Sequence, residues 1–255
     1  MRNLTTWIGA VTASAAFAPS AWAVYTGISA HLHATVPIGG QSYDVYRLYA
    51  NFDDPGDRLV AVFGSPMLGP MTLQTRNSND TAPGSAFYNS PLDRITAPSA
   101  AVIGLDPNEQ WDTFVTIGVS VTDQSPYGDM TYLTPGFTGI SGTSTTYTNG
   151  GWYTVPTFDH DTNPSTPDIP PPQTLAGWTG DGDSALRVLI MQLTVRAGEN
   201  IRGTINIDLF PPMGQGGGFP VIHQPFQTFN TYVAPGPSVL ALLAVACVRG
   251  QRRRR

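Results

Sequence analysis

The chain has 255 residues, with 27 glycines, 23 prolines, one cysteine, no lysine and a formal net charge of −5. This length suits one sizeable domain with its own core, and glycine and proline beside 10% aromatics fit short strands joined by long loops rather than disorder. Six of the 13 arginines lie at Arg2 and in the last seven residues, so seven meet 18 acids in between; that balance, near −11, argues against nucleic acid or anionic lipid as partner and suits a surface that holds cations.

In chain order, Arg2, the apolar run Trp7 to Phe17 and the Ala21-Trp22-Ala23 exit have the layout of a secretory signal peptide, residues 1–23. A β-domain is expected over residues 24–233. Ile28, Ala30, Leu32, Ala34 and Val36 alternate with Ser29, His31, His33 and Thr35, which predicts a first strand over 26–36. Gly39 and Gly40 turn the chain. Tyr46, Leu48, Ala50 and Phe52 predict a second strand, Leu59 to Phe63 a third, and the pair reads as a hairpin over 45–63 closed by Asp53-Asp54-Pro55-Gly56-Asp57. Residues 64–105 lack sustained period and read as a long loop with a short helix or edge strand.

Trp111 to Val121 predicts a buried strand, and a second long insertion, 122–178, carries a strand near Trp152 to Val155. From Ala185 to Phe210 the pattern is clearest. Leu186 to Val195 is apolar on both faces, as in a central strand, and Ile201, Ile205, Ile207 and Leu209 alternate with Arg202, Thr204, Asn206 and Asp208. Ala197-Gly198-Glu199-Asn200 between them reads as a hairpin turn. A last strand is expected over Phe226 to Val233. The expected fold is all-β, a single antiparallel β-sandwich or jelly-roll-like domain with long loops, flanked by a signal helix and a C-terminal hydrophobic helix. The one cysteine, Cys247, lies beyond it, so the domain contains no disulfide.

Beyond Tyr232 come Pro235-Gly236-Pro237, an apolar stretch from Ser238 to Val248, and the cluster Arg252, Arg253, Arg254 and Arg255. An apolar helix followed by clustered positive charge stops in the inner membrane with the charge in the cytoplasm. Residues 234–255 resemble the PEP-CTERM sorting signal of Gram-negative bacteria, with Gly236 where that motif has glutamate. The resemblance implies an exosortase-like sorting enzyme as partner, acting near Pro235 and Pro237, and a membrane-anchored precursor released to the cell envelope or outside. An ordinary C-terminal anchor is the alternative.

Three aspartate groups are candidate calcium ligands: Asp53, Asp54 and Asp57; Asp159 and Asp161; Asp181 and Asp183. Calcium takes about six to eight oxygens, largely from carboxylates and loop carbonyls, and an exported protein meets enough of it for weak sites. His31-x-His33 serves a transition metal only if a third ligand converges. Gly182-Asp183-Ser184 resembles the nucleophile block of SGNH-type esterases, but Pro220 stands where that chemistry needs an aspartate three residues before His223. Trp152, Tyr153 and Trp178 are candidate platforms for stacking on sugar rings. The expected function is a non-enzymatic surface or extracellular-matrix protein that binds extracellular polysaccharide. The alternative, a jelly-roll polysaccharide hydrolase or lyase, needs paired carboxylates on one face, and the only glutamates are Glu109 and Glu199.

Overall fold

A computed structural model describes residues 25–92, 95–122, 131–154, 186–210 and 221–232. These form antiparallel sheets with one short helix. The strands are β1 (Tyr25–Ile38), β2 (Gln41–Phe52), β3 (Arg58–Gly64), β4 (Met71–Arg76), β5 (Phe114–Val115), β6 (Thr131–Leu133), β7 (Ser144–Tyr147), β8 (Gly150–Thr154), β9 (Arg187–Arg196), β10 (Asn200–Phe210) and β11 (Ile222–Asn230). The helix α1 (Ala100–Leu105) and a 3-10 turn (Pro107–Trp111) lie between β4 and β5. Among the described residues no helix is long and apolar enough to cross a membrane.

One sheet has the order β1-β2-β9-β5. The β1–β2 hairpin closes on Gly39 and Gly40, whose φ angles of 57° and 81° are those of a primed turn that matches strand twist. The other sheet has seven strands. In it β11 pairs with β10, and β10 meets β4 through Asn200–Thr204 and β3 through Asn206–Phe210. Strands β3 and β4 therefore lie end to end, as do β8 and β7 beside them, with β6 on β8.

Residues from both sheets enter one core: Leu48, Ala50, Ile190 and Leu193 from the first, and Leu59, Leu73, Trp152, Ile205, Ile207 and Leu209 from the second, all at most 1% exposed. The fold is all-β and sandwich-like.

Two expected hairpins are instead crossovers between the sheets. A strand has two edges to pair, and β2 is filled on both by β1 and β9, so β3 must leave and join the other sheet. Strand β9 is likewise filled by β2 and β5, and β10 departs. Its connection is held in place rather than free: Ala197 N–H donates to Ser42 O (2.9 Å), Gly198 N–H to Asp44 Oδ2 (2.8 Å), and Glu199 accepts from Ser85 N and Oγ.

The expected strand Trp111 to Val121 shortens to β5. Ile190 bulges out of β9, so Thr116 N–H and Gly118 N–H meet the successive carbonyls of Ile190 and Leu189, and Thr116 Oγ1 turns back to Val119 O (2.7 Å). The segment stays buried without being a strand. Conversely, β4 is an interior strand inside the expected loop 64–105. Leu32, expected to face the core, is 56% exposed on the edge strand β1, beside a bulge at His33. The last strand ends at Asn230 and begins at Ile222, earlier than expected.

The alternation in β10 holds: Ile205, Ile207 and Leu209 are 0% exposed, while Thr204 and Asp208 are part-exposed. Ile207→Ala should therefore cost about 2–5 kcal/mol in chemical denaturation and Thr204→Ala under about 1 kcal/mol. Equal costs would mean that the register is wrong.

Candidate functional site

The outer face of the seven-stranded sheet carries its polar and aromatic side chains in rows set by register. One row runs His223 (β11), Asp208 (β10), Ala61 (β3), Tyr153 (β8), Tyr132 (β6). Four strand spacings of about 4.8 Å make it roughly 19 Å long. At one end Tyr132 and Tyr153 are 43% and 36% exposed, with ring centroids 5.8 Å apart and planes inclined by 31°. At the other, His223 Nδ1 lies 2.6 Å from Asp208 Oδ1, an ion pair when the imidazole is protonated. Burial pushes the Asp208 carboxyl above its usual range, and the hydrogen bond and charge of His223 oppose that shift. Ala61, with its single methyl, stands between the two ends.

A ridge separates this row from the rest of the face. The chain leaves the sheet between β3 and β4 in an excursion closed by paired Ser65 and Gly69 backbone groups, with Met67 at its tip 93% exposed. Beside it the ring of Phe226, 60% exposed, packs where a Cβ on Gly69 would have to go. Phe226 has φ = 55°, a strained value for a bulky residue, and Asn206 holds it there. Asn206 Oδ1 accepts from Phe226 N (3.1 Å), and its Nδ2 donates to Phe63 O (3.0 Å) and Gly69 O (2.8 Å).

Past the ridge lies a groove of about 350 Å³ lined by Thr72, Gln74, Arg202, Thr204, Thr228 and Asn230, with Gly203 and Phe229 between. Register again explains it. Asn230, Arg202, Gln74 and Ser144 form one row across β11, β10, β4 and β7, and Thr228, Thr204, Thr72 and Thr146 form the next.

The sequence-predicted residues divide. Tyr153 is exposed on the outer row. Trp152 is not available to a ligand: it is 1% exposed, donates from Nε1 to Thr116 O (3.1 Å) and packs 5.3 Å from Phe137. Period two puts neighbours on opposite faces, so with Tyr153 outward Trp152 must point inward. Trp178, Asp159, Asp161, Asp181, Asp183, Pro235, Gly236, Pro237 and Arg252 to Arg255 lie outside the described residues, as does the signal segment.

Asp53, Asp54 and Asp57 sit in the β2–β3 crossover. Asp54 Oδ1 accepts from Gly56 N (2.7 Å), while Asp57 is 0% exposed and neither carboxylate oxygen has a hydrogen-bond partner. Burial first, then the charges of Asp54 and Asp53, push its carboxyl up to about 6 against the weaker opposing pull of the Asp54 backbone N–H. Among the described residues no three His, Cys, Asp or Glu side chains form a group able to hold a metal ion. His31 Nε2 lies 2.9 Å from Arg187 Nη1, and the ring of His33 lies 6.3 Å from that of Trp111. The two glutamates are off the outer face too: Glu109 is 0% exposed and Glu199 binds Ser85.

Sequence reasoning missed Tyr132, Ala61, Asp208, His223 and the Arg202 groove. Alternation in β10 put Arg202, Thr204 and Asp208 on the wet face, but their neighbours come from strands up to about 150 residues away. Comparison with family models, with curated proteins and with solved structures finds no match for this chain.

Proposed function

We propose that this chain is an exported, non-enzymatic surface or matrix protein whose β-sandwich, of jelly-roll type, binds polysaccharide on the outer face of its seven-stranded sheet. The observation that carries the reading is the exposed Tyr132–Tyr153 pair. Two large, part-apolar rings held side by side on a rigid sheet offer a stacking surface for sugar rings while their hydroxyls stay wet. Along the same row, Asp208 offers an acceptor to sugar hydroxyls, and His223 offers Nε2, an acceptor when the neutral ring gives its Nδ1–H to Asp208 and a donor when the ring is protonated. Binding is favoured over hydrolysis because Asp208 is the one carboxylate in the row, whereas glycosidases use two that flank the scissile bond. The sorting segment at 234–255, read by an exosortase-like enzyme, would deliver the domain to the envelope.

Glycan-array screening followed by calorimetry tests the reading. Tyr153→Ala and Tyr132→Ala should each weaken binding of the selected glycan about tenfold, equivalent to about 1.4 kcal/mol, with no sugar released on incubation. Undiminished affinity in the double variant, or release of reducing ends, would refute it.

A further inference from the structure

We infer that the groove on the far side of the Phe226 ridge binds an anionic substituent, carboxylate or sulfate, carried by the polysaccharide. This inference rests on the polysaccharide-binding reading and adds the ligand's charge class.

Its ground is the direction of the hydrogen-bonding groups. Arg202 Nε and Nη2 both donate to Gln74 Oε1 (3.2 Å each), which occupies the amide's acceptor and leaves its Nε2 as a donor. At the other side, Asn230 Oδ1 accepts from Tyr232 N–H (2.9 Å), so its Nδ2 is likewise a donor. These three residues are cross-strand neighbours in one row, with the hydroxyls of Thr228, Thr204 and Thr72 in the next. The groove thus gathers a guanidinium, two amide N–H₂ groups and three hydroxyls, and none of its lining residues is an acid. Among the described residues no carboxylate pairs with Arg202. A set of donors around an uncompensated cation complements a ligand group made of acceptors, and guanidinium is the side chain best shaped for carboxylate or sulfate. The acidic charge of the whole domain acts over a Debye length of about 8 Å at physiological salt, so the local donors decide binding inside the groove.

The test compares oligogalacturonate with its fully methyl-esterified counterpart, and a sulfated galactan oligomer with the unsulfated one, by calorimetry on the full chain. One or both anionic ligands should bind at least tenfold tighter than their neutral isosteres, and which pair does so distinguishes carboxylate from sulfate. Arg202→Gln should bring that ratio close to one and Arg202→Lys should keep part of it, with thermal melts verifying that both variants fold. Tyr132→Ala with Tyr153→Ala should weaken all arms while preserving the ratio. Equal affinity for charged and neutral forms, or a preference that survives Arg202→Gln in the folded protein, overturns the inference. Neutral glycans that bind through the tyrosines without any charge preference would sink this inference alone. A charge preference lost in Arg202→Gln but indifferent to the tyrosine changes would sink the tyrosine platform alone.

Discussion

Trp152→Ala should unfold this protein far more readily than it disturbs any ligand. Among the described residues the indole is the largest fully buried side chain, in contact with the core that both sheets share, and its N–H satisfies the Thr116 carbonyl in a buried segment with no regular ladder of its own. Truncation to alanine removes the ring, leaves a cavity and strands that carbonyl. The first two effects together cost about 3–5 kcal/mol, and an unsatisfied buried acceptor adds about 1–3 kcal/mol. At about 2–4 °C per kcal/mol for a domain of this size, the melting temperature should fall by about 8 °C or more. Trp152→Phe keeps most of the packing against Phe137 and should lose less. Urea denaturation of the three proteins measures this directly. A loss under about 1 kcal/mol with abolished glycan binding would restore Trp152 to the surface role its sequence context suggests.

That reversal illustrates which information was local. In β10 the period-two pattern of Ile205, Ile207 and Leu209 against Thr204 and Asp208 assigned faces correctly, because alternation is a property of the strand itself. In β8 the same rule says that Trp152 and Tyr153 face opposite ways but not which faces in. Gly150 and Gly151, which would extend the pattern, have no side chain; a Cβ on Gly151 would press on Phe63 Cα at 2.6 Å, so close approach of β3 dictates glycine there. Pairing partners are less legible still. The double-faced apolar run in β9 announced a strand buried on both faces, yet nothing in Ala197-Gly198-Glu199 distinguishes a hairpin from a crossover. That choice depends on Tyr43 to Asn51 and Phe114 to Val115 filling both edges of β9. Bulges at His33 and Ile190 shift register without a sequence mark of their own. The outer row is the extreme case, since His223, Asp208, Ala61, Tyr153 and Tyr132 meet only once four pairings are known.

Asp57→Asn should stabilise the protein at neutral pH and leave it unchanged in acid. Asp57 is fully buried at the β2–β3 crossover with no well-formed hydrogen bond to either oxygen, Asp53 and Asp54 add negative charge nearby that outweighs the opposing backbone N–H of Asp54, and the adjacent Arg58 does not compensate: its own Nε and Nη1 are buried without partners. Burial holds the folded-state carboxyl near 6 against an ordinary value of 3.8. A folded pKa raised in this way means that the folded state holds the proton more tightly than the unfolded chain does. Its stabilisation is complete below about pH 4 and is lost as pH rises through about 6. The full difference, at about 1.4 kcal/mol per unit, is about 3 kcal/mol. Asparagine has nearly the same shape and carries no charge at any pH, so the variant should match wild type at pH 4 and exceed it by about 2–3 kcal/mol at pH 7.5. Asp112, which burial also holds near 6, titrates equally in both proteins and cancels in the comparison. The measurement belongs in chelator first and in millimolar calcium second, because a cation seated on Asp57 reverses the sign. Wild type would then gain about 2.7 kcal/mol at a hundredfold excess over Kd while the asparagine variant would gain none. A variant less stable than wild type in chelator at pH 7.5 would show that the Asp57 carboxylate has a partner that keeps it ionised.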